Sequence, residues 1–321
     1  MKKNTYLKIA YWYYTLGLTQ DEIARRLNLS RQKVNQIINS LVDFGIVTIS
    51  VNGYEREFSE LERSLESVYG LYEAIVVDDF EDPDNAGRRV AAVAAQYMNE
   101  TVTKGMNIGV SWGSTLADMA REMIYHKKNG CCVVPLMGAQ NMGHHMEKTD
   151  EICRLIANKL DCSSYMLYAP VLVSHVETKK WLMEEKSVQA AYDRMRNCDI
   201  AFLGIGELTE QATMCTRGIL TKEEVKKLRS EGFVGDLCMN PVRPDGSWSD
   251  CYLQERLMNA DIETLRGIHN TVAVVSGINK TEAIRACLKT GCINTLIIDE
   301  STARYVMDMQ EEGKNAVSDR D

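Results

Sequence analysis

The sequence predicts an α/β protein in which a small helix-turn-helix domain, winged-helix-like, precedes a larger Rossmann-like domain built on a parallel sheet. The segment from Leu18 to Gly45 spells two short helices joined by a tight turn. From about Leu71, apolar runs typical of buried strands alternate with helical patterns. The charge divides in the same way, because residues 1–53 carry +4 and the rest of the chain carries −12.

These shifts predict four parts: a helix-turn-helix domain over 1–53, a linker or dimerisation helix over 54–70, the α/β domain over 71–307, and a polar tail over 308–321. We expect the first helix to run from about Tyr6 to Leu16, with Gly17 ending it. Thr19 and Glu22 have the spacing of a capping box at the start of the second helix. Ser30 suits the N-cap of the third helix, and Gly45 suits its end.

The third helix has an apolar stripe at Val34, Ile37, Ile38 and Leu41, which predicts one buried face. Its opposite face is basic and polar, with no acidic residue between Ser30 and Val42. Such side chains contact DNA phosphates and base edges in the major groove, whereas a merely solvated face in an acidic protein would usually include acids. We therefore predict an operator DNA partner, bound by Thr19, Ser30, Arg31, Gln32, Lys33, Asn35, Gln36 and Asn39.

Residues 46–51 are β-rich and are followed by Asn52-Gly53, which predicts an edge strand or small wing. Residues 55–70 form an amphipathic helical pattern with apolar side chains at Phe58, Leu61, Leu65 and Val68. That spacing is typical of the seam between two paired helices. Packing of this helix on its own domain is an equally open interpretation. Dimerisation suits a helix-turn-helix protein, because two heads usually bind two half-sites.

Seven apolar runs predict strands in the larger domain. They are residues 73–77, 106–110, 131–136, 165–173, 200–205, 271–276 and 293–299. Helical patterns lie between several of them, at residues 86–98, 114–124, 151–160 and 280–291. This alternation predicts a parallel sheet covered by helices on both faces, with ligands at the carboxyl ends of the strands.

Four loops at predicted strand ends could hold a ligand: residues 109–115, 136–140, 203–207 and 275–280. The first combines glycines with Ser and Thr at a helix start, a pattern that suits a phosphate. Lys280 at another helix start could meet an anion. The Asp236 carboxylate could accept hydrogen bonds from sugar hydroxyls.

Composition excludes several classes of protein. No apolar run is long enough to cross a bilayer, and the N-terminus lacks a signal-peptide core, so we expect no membrane partner and a cytoplasmic location. The ten cysteines are scattered and form no C-x-x-C pair. We therefore expect reduced thiols, no metal site and no cofactor.

Several segments together resemble the SorC family of bacterial sugar-responsive transcription regulators, over about Tyr6 to Ala303. They read GLTQDEIARRLNLSRQKVNQII, IGVSWGSTL, DIAFLGIG, VGDLC and SGINKTEAIRACLKTGCINTLIIDESTA. The resemblance implies an effector domain similar to sugar-phosphate isomerases and deaminases. It also implies dimers or tetramers, and a sugar, polyol or sugar-phosphate effector that alters operator affinity.

By the same resemblance, the effector would be bound by Ser111, Gly113, Ser114, Thr115, Gly138, Gln140, Gly206, Asp236 and Lys280. The chain departs from the family pattern at three places. Met137 replaces the lysine with which one branch forms a Schiff base. Leu237 to Arg243 lacks the usual aromatic pair followed by Asp. Ser276-Gly277 replaces the commoner Gly-Gly.

Two other functions remain open at this stage. An isomerase or deaminase would need a general acid or base, for which His144, His145, Glu207 and Asp236 are candidates. The histidine pair reads as an exposed loop, and no catalytic triad or metal-ligand spacing accompanies it. Alternatively, the larger domain could serve assembly alone, without a small effector. The resemblance favours the ligand-gated regulator.

Overall fold

The computed structural model describes residues 3–44, 46–47, 56–79, 85–139 and 148–308. The chain divides into two compact units, Met1–Arg56 and Glu57–Asp321, here called the head and the effector domain. Gly45, the Asn52-Gly53 turn, residues 48–51 of the predicted wing and nearly all of the predicted tail lie outside the described residues.

Three α-helices lie in the described part of the head. They are α1 (Lys3–Ala10), α2 (Gln20–Leu27) and α3 (Arg31–Asp43). The first helix starts at Lys3, three residues before the predicted Tyr6. At its other end a π-helical turn, Tyr11–Thr15, continues α1. Gly17 follows it with φ +67°, a conformation that glycine adopts without steric cost.

Both predicted N-caps of the head are confirmed. The Thr19 hydroxyl accepts the Glu22 N–H at 3.3 Å, and the Glu22 carboxylate accepts the Thr19 N–H at 2.8 Å. The Ser30 hydroxyl accepts the Lys33 N–H at 3.2 Å and so caps α3. Asn28 has φ 54° and ends α2 in the left-handed conformation, which makes the turn between the helices tight.

The predicted apolar stripe of α3 forms the centre of the head. Val34, Ile37, Ile38 and Leu41 are all buried, against Ile9 of α1 and Ile23 of α2. Packing of three helices on this stripe leaves the polar side of α3 outside the core.

The amphipathic helix over residues 55–70 is observed as α4 (Arg56–Tyr69). Leu65 is completely buried in the core of the effector domain, and Phe58 and Leu61 pack against the same core. Val68 is 38% exposed. Three of the four apolar positions are thus used within the chain, as the packing interpretation expected.

A seven-stranded parallel sheet forms the centre of the effector domain, in the order β1-β10-β9-β5-β2-β3-β4. Its strands are β1 (Glu73–Val77), β2 (Asn107–Val110), β3 (Cys132–Pro135), β4 (Ser163–Ser164), β5 (Ile200–Leu203), β9 (Asn270–Val275) and β10 (Thr295–Asp299). A second, antiparallel sheet contains β6 (Ile205–Glu207), β7 (Gly235–Leu237) and β8 (Asn240–Val242).

Helices cover both faces of the parallel sheet, with α5 to α7 in one core and α9 in the other. The helices that follow α4 in the described residues are α5 (Ala86–Thr101), α6 (Ser114–Glu122), α7 (Thr149–Leu160), α8 (Val176–Glu184), α9 (Lys186–Arg196), α10 (Thr213–Thr216), α11 (Lys222–Ser230), α12 (Ile262–Arg266), α13 (Thr281–Lys289) and α14 (300–308). Successive residues of β5 point into different cores: Phe202 packs with α5 to α7, and Leu203 packs with α4, α9 and α13. This alternation explains why the strand is apolar at every position.

One predicted strand is wrong. Residues 165–173 do not join the sheet beyond β4, although their side chains alternate between buried and more exposed positions. The chain there is extended and forms single bridges, Ala139 with Pro170 and Leu172 with Leu257. Its backbone hydrogen bonds go to Ala139, Arg256 and Met258 in two other loops, so the alternation reflects packing between loops.

Another predicted strand, residues 200–205, is divided. Gly204 separates β5 from β6, and the chain leaves the parallel sheet for the antiparallel one at that point. Within the described residues, no helix is both long enough and apolar enough to cross a bilayer.

We predict that Leu65→Ala lowers the free energy of unfolding of the effector domain by about 2–5 kcal/mol, because it opens a cavity in a closed core. The matched control Val68→Ala should change it by less than about 0.5 kcal/mol. Urea unfolding of both variants measures the difference. Equal stability losses would contradict the packing, and loss of self-association by Val68→Ala alone would assign the exposed edge of α4 to an interface between copies.

Candidate functional site

A cleft lies at the carboxyl edge of the parallel sheet, where β2 and β5 are neighbours. From β2 the chain continues to β3 on one side, whereas the chain after β5 returns to β9 on the other. Adjacent strands whose connections diverge in this way leave a crevice between their loops. The cleft encloses about 670 Å³ including its open mouth. It is lined by Trp112, Gly113, Ser114, Thr115, Leu116, Gly204, Ile205, Gly206, Glu207, Gln211, Ala212, Thr213, Met214, Asp236, Val274 and Lys280.

The start of α6 forms one wall of the cleft. Gly113 is its N-cap, with φ +128° and no side-chain cap. The first bond within the helix runs from the Ala117 N–H to the Gly113 carbonyl at 3.0 Å. The N–H groups of residues 114–116 precede it and so have no acceptor within the helix. Together with the Ser114 and Thr115 hydroxyls, they give this wall hydrogen-bond donors and the positive end of a helix dipole.

The opposite wall is the hairpin of β6 and β7, in which Gly206 lies directly opposite Asp236. A Cβ atom at position 206 would lie 2.0 Å from Oδ1 of Asp236, so only glycine leaves room for this carboxyl group. Asp236 is 3% exposed, and its Oδ2 accepts the Met239 N–H at 2.9 Å. Burial raises the pKa of Asp236 to about 7, and the Met239 N–H and the Lys280 charge oppose this rise.

The turn between β7 and β8 holds that N–H in place. Cys238 and Met239 both have positive φ, 53° and 64°, which is costly for residues with side chains. The Asn240 side chain stabilises the turn by donating to the carbonyls of Leu237 and Ala260, each at 2.9 Å. Backbone strain is therefore stored beside the carboxyl group that it orients.

Lys280 lies at the end of a short 3-10 helix, Ile278–Lys280, on the side of β9. Burial lowers the pKa of its amine, while the carboxylates of Glu207, Asp236 and Asp299 raise it. These three acids come from three different strands. The Lys280 ammonium is thus held among acceptors from several elements at one edge of the domain.

The backbone around Lys280 is fixed by the neighbouring strand. Gly277, with φ +115°, donates its N–H to Asp299 at 3.2 Å and to the Thr302 hydroxyl at 3.0 Å. The Asn279 side chain donates to Glu207 at 3.2 Å. The loop is therefore tied both to β10 and to the opposite hairpin.

The structure brings six of the nine predicted effector-binding residues into this cleft. They are Gly113, Ser114, Thr115, Gly206, Asp236 and Lys280. Ser111 lies beneath the lining, fully buried, and its hydroxyl accepts the Gly204 N–H at 3.0 Å. It therefore joins the β2 and β5 loops from below.

Gly138 also lies outside the lining. A Cβ atom there would be 2.6 Å from the Ala169 carbonyl oxygen, so this glycine permits close packing of the 165–173 segment. Gln140 and both loop histidines, His144 and His145, fall outside the described residues.

The lining also includes side chains that the sequence did not single out for the effector. The segment Gln211–Met214 closes part of the cleft, and Glu207, at the end of the predicted ligand loop 203–207, was named individually only for the enzyme alternative. The segment 208–216 has neither an apolar run nor a glycine signature.

On the head, six of the predicted DNA-binding residues lie exposed on α3. They are Arg31, Gln32, Lys33, Asn35, Gln36 and Asn39. The hydroxyls of Thr19 and Ser30 are engaged in their caps. Asp21 of α2 lies 3.7 Å from Arg31, so a neighbouring helix supplies an acid to a face that has none in its own sequence.

One group of acids in the described chain is compact enough to consider for a metal. Ligand atoms of Asp78, Asp79 and Glu300 all lie within 4.8 Å of one another. Asp78 pairs with Arg89 at 3.1 Å, Glu300 pairs with Arg304 at 2.6 Å, and Asp79 accepts the Ser301 N–H at 3.3 Å. Since arginines and a helix start already compensate these charges, we assign no ion to the group.

Comparison with known proteins matches both parts of the chain. The Sugar-bind family, described as a sugar-binding domain, matches residues 55–308, and a winged helix-turn-helix DNA-binding family matches residues 17–48. The chain belongs to the SorC family of sugar-responsive transcription regulators. It is a DNA-binding transcriptional regulator whose operator affinity is controlled by an effector of the sugar class.

Two curated relatives extend over nearly the whole chain. The deoxyribonucleoside regulator of Bacillus subtilis is 28% identical over 308 residues, which cover 95% of this chain and 98% of the relative. The erythritol catabolism regulatory protein EryD of Brucella abortus is 28% identical over 310 residues, covering 96% and 97%.

Solved structures agree on the fold. A DeoR family transcriptional regulator from Listeria monocytogenes has a TM-score of 0.73 and 28% identity, covering 78% of this chain and all of that one. The full-length sorbitol operon regulator SorC from Klebsiella pneumoniae has a TM-score of 0.72 and 23% identity, covering 94% and 97%.

The raised pKa of Asp236 predicts a pH-dependent stability. The unfolded carboxyl group ionises near pH 4, but the folded one keeps its proton to about pH 7. The free energy of unfolding therefore falls as the pH rises from about 4 to about 7, and the whole of this loss is present above pH 7. Asp236→Asn removes the ionisation, so it should stabilise the effector domain at pH 8 by about 2–4 kcal/mol. Urea unfolding at pH 8, 6 and 5 should show this gain shrinking with acidity, and a gain independent of pH would contradict the account.

Proposed function

We propose that the cleft between the β2 and β5 loops binds the effector, a small sugar, polyol or phosphosugar. A phosphate or other anionic end would meet Lys280 and the N–H groups at the start of α6. The hydroxyl groups would donate to Asp236 and Glu207. One observation carries the proposal: a cation, a free helix start and two carboxyl groups face a single cleft.

The effector is held without a covalent bond in this proposal. Met137, which replaces the Schiff-base lysine of one family branch, is buried and has no nucleophilic amine. The relatives named for deoxyribonucleosides and for erythritol catabolism support small carbohydrates as the chemical class.

The proposed DNA-binding surface is the exposed face of α3, inserted into the major groove from its N-terminal end. Arg31 and Lys33 would contact mainly phosphates, and Gln32, Asn35 and Gln36 would read bases. The head carries net positive charge in an otherwise acidic chain, which confines attraction for DNA to this domain.

The chain would act as a dimer or tetramer on a palindromic or repeated operator, because paired heads match paired half-sites. A DNA-binding regulator with ten free cysteines fits the cytoplasm. The effector must bind one arrangement of the paired heads more tightly than another, since equal affinity for both would shift nothing.

We predict that Lys280→Ala abolishes the response to the effector and leaves operator binding intact. The cation lies in the cleft of the effector domain, whereas the DNA-binding face lies on the head. A thermal-shift screen with phosphorylated and free sugars and polyols identifies a ligand of the wild-type chain, because a ligand of the folded state raises its stability. That ligand should no longer shift the variant.

A variant that still responds normally would remove Lys280 from the site. If no compound in the panel shifts even the wild-type chain, with or without operator fragment, the effector domain would serve assembly alone.

We predict that Gln36→Ala reduces discrimination between operator sequences by about 1–3 kcal/mol, because an amide pairs with one base edge. Lys33→Ala should weaken all sequences alike and flatten the salt dependence, because it removes a phosphate contact. Binding titrations with operator and scrambled duplexes at several salt concentrations separate the two effects. Unchanged operator preference in Gln36→Ala would refute the assignment of this face.

A further inference from the structure

A side-chain hydrogen bond joins the start of α2 to the exposed face of α3. Nε2 of Gln20 donates to Oδ1 of Asn35 at 3.1 Å, across fifteen residues of sequence. Asn35 is exposed on α3, and Gln20 is partly buried as the first residue of α2. Gln20 is thus linked to a side chain of the DNA-binding face.

This bond determines what Asn35 can offer to a base. A free asparagine pairs with adenine by accepting from N6 through Oδ1 and donating to N7 through Nδ2. Here Nε2 of Gln20 holds Oδ1 toward α2, so Nδ2, on the other side of the amide, is the group turned toward the DNA. Two donors match the O6 and N7 acceptors of guanine, and they leave the N6 donor of adenine without a partner.

We propose that Gln20 is a specificity-determining residue for operator recognition. It acts by holding the Asn35 amide with Nδ2 toward the groove. The position read by Asn35 then favours guanine over adenine. This inference rests on the proposed insertion of α3 into the major groove, and it adds a residue outside that helix to the recognition surface.

The neighbouring structure keeps Gln20 at a fixed position. Thr19 and Glu22 close a reciprocal cap around the start of α2, which fixes the backbone on both sides of Gln20. On α3, the buried Val34 precedes Asn35 and anchors the helix at this level. The two ends of the hydrogen bond are therefore carried by packed helices.

A second link from the same turn reaches the same face. Asp21 lies 3.7 Å from Arg31, four residues before Asn35. Residues four apart on a helix are neighbours on its surface. In free solution both links are exposed and contribute little stability, but docking on DNA excludes water, and the orientation of each donor then matters more.

The test exchanges the donor for an acceptor. Gln20→Glu places a carboxylate opposite Asn35, which can accept from Nδ2 but cannot donate to Oδ1. The amide then turns, and Oδ1 faces the groove. The preferred base at this position should change from guanine to one with a donor on its edge, adenine or cytosine, by about tenfold in relative affinity.

The operator is first selected from randomised duplexes with the wild-type chain. Dissociation constants are then measured for all four base pairs at each position, with the wild type, Gln20→Glu, Asn35→Ala and the double variant. The matched double variant should show no change of preference relative to Asn35→Ala, because the switch acts through that amide. Thermal unfolding checks the head, where an acid at a helix start is favourable.

A uniform loss of affinity by Gln20→Glu, with base preference unchanged, would overturn the inference and indicate charge repulsion alone. If Asn35→Ala changes no base preference, Asn35 reads no base and the inference fails, whereas the proposed DNA-binding face is refuted by the Gln36→Ala test. If Asn35→Ala changes a preference and Gln20→Glu does not, only the role of Gln20 fails.

Discussion

The effector domain is organised around a cation held at the carboxyl edge of its parallel sheet. Lys280 is largely surrounded by protein, and a charge in that position is stable only with compensating groups nearby. Glu207, Asp236 and Asp299 supply this compensation from three strands. Several unusual local features follow from the arrangement. Gly206 makes room for the Asp236 carboxyl group, Gly277 turns the chain so that its N–H reaches Asp299, and the Cys238-Met239 turn supplies an N–H to Asp236. A ligand that brings both an anionic end and hydroxyl groups would complete this set of donors and acceptors.

The head depends on a few local interactions that expose one face of α3. Two caps, a reciprocal capping box on α2 and a serine cap on α3, define the helix starts, and one apolar stripe packs the three helices. The exposed side of α3 is then free for polar and basic residues. Since the head is basic in a chain of net charge −8, nucleic acid is attracted to one end of the sequence only. In the proposed function, occupancy of the cleft alters how paired heads are presented to the operator.

Much of this architecture is readable from the sequence, because its signals are local. Caps, the α3 stripe and the apolar strand runs each depend on residues within one turn or one strand. The prediction failed where long-range packing decides the structure. Alternating burial over 165–173 resembles a strand, yet the segment lies between loops and makes its backbone hydrogen bonds with them. The strands β6 to β8 are three residues each and too short for a periodic signal. The same limit applies to the site. Glycines and Lys280 marked its loops, but Gln211–Met214 reach the cleft only through the tertiary fold, and Ser111 lies one layer below it.

The central claim is that the cleft and the DNA-binding face are coupled, and reciprocal titration tests it most directly. The dissociation constant of a cleft ligand is measured with and without saturating operator fragment, and that of the operator with and without saturating ligand. Coupling free energies of this kind typically correspond to about 5- to 150-fold changes in affinity, and linkage requires both titrations to give the same factor. We expect an equal change of this size in both. A ligand that binds the cleft with the same affinity in the presence and absence of operator would contradict the account.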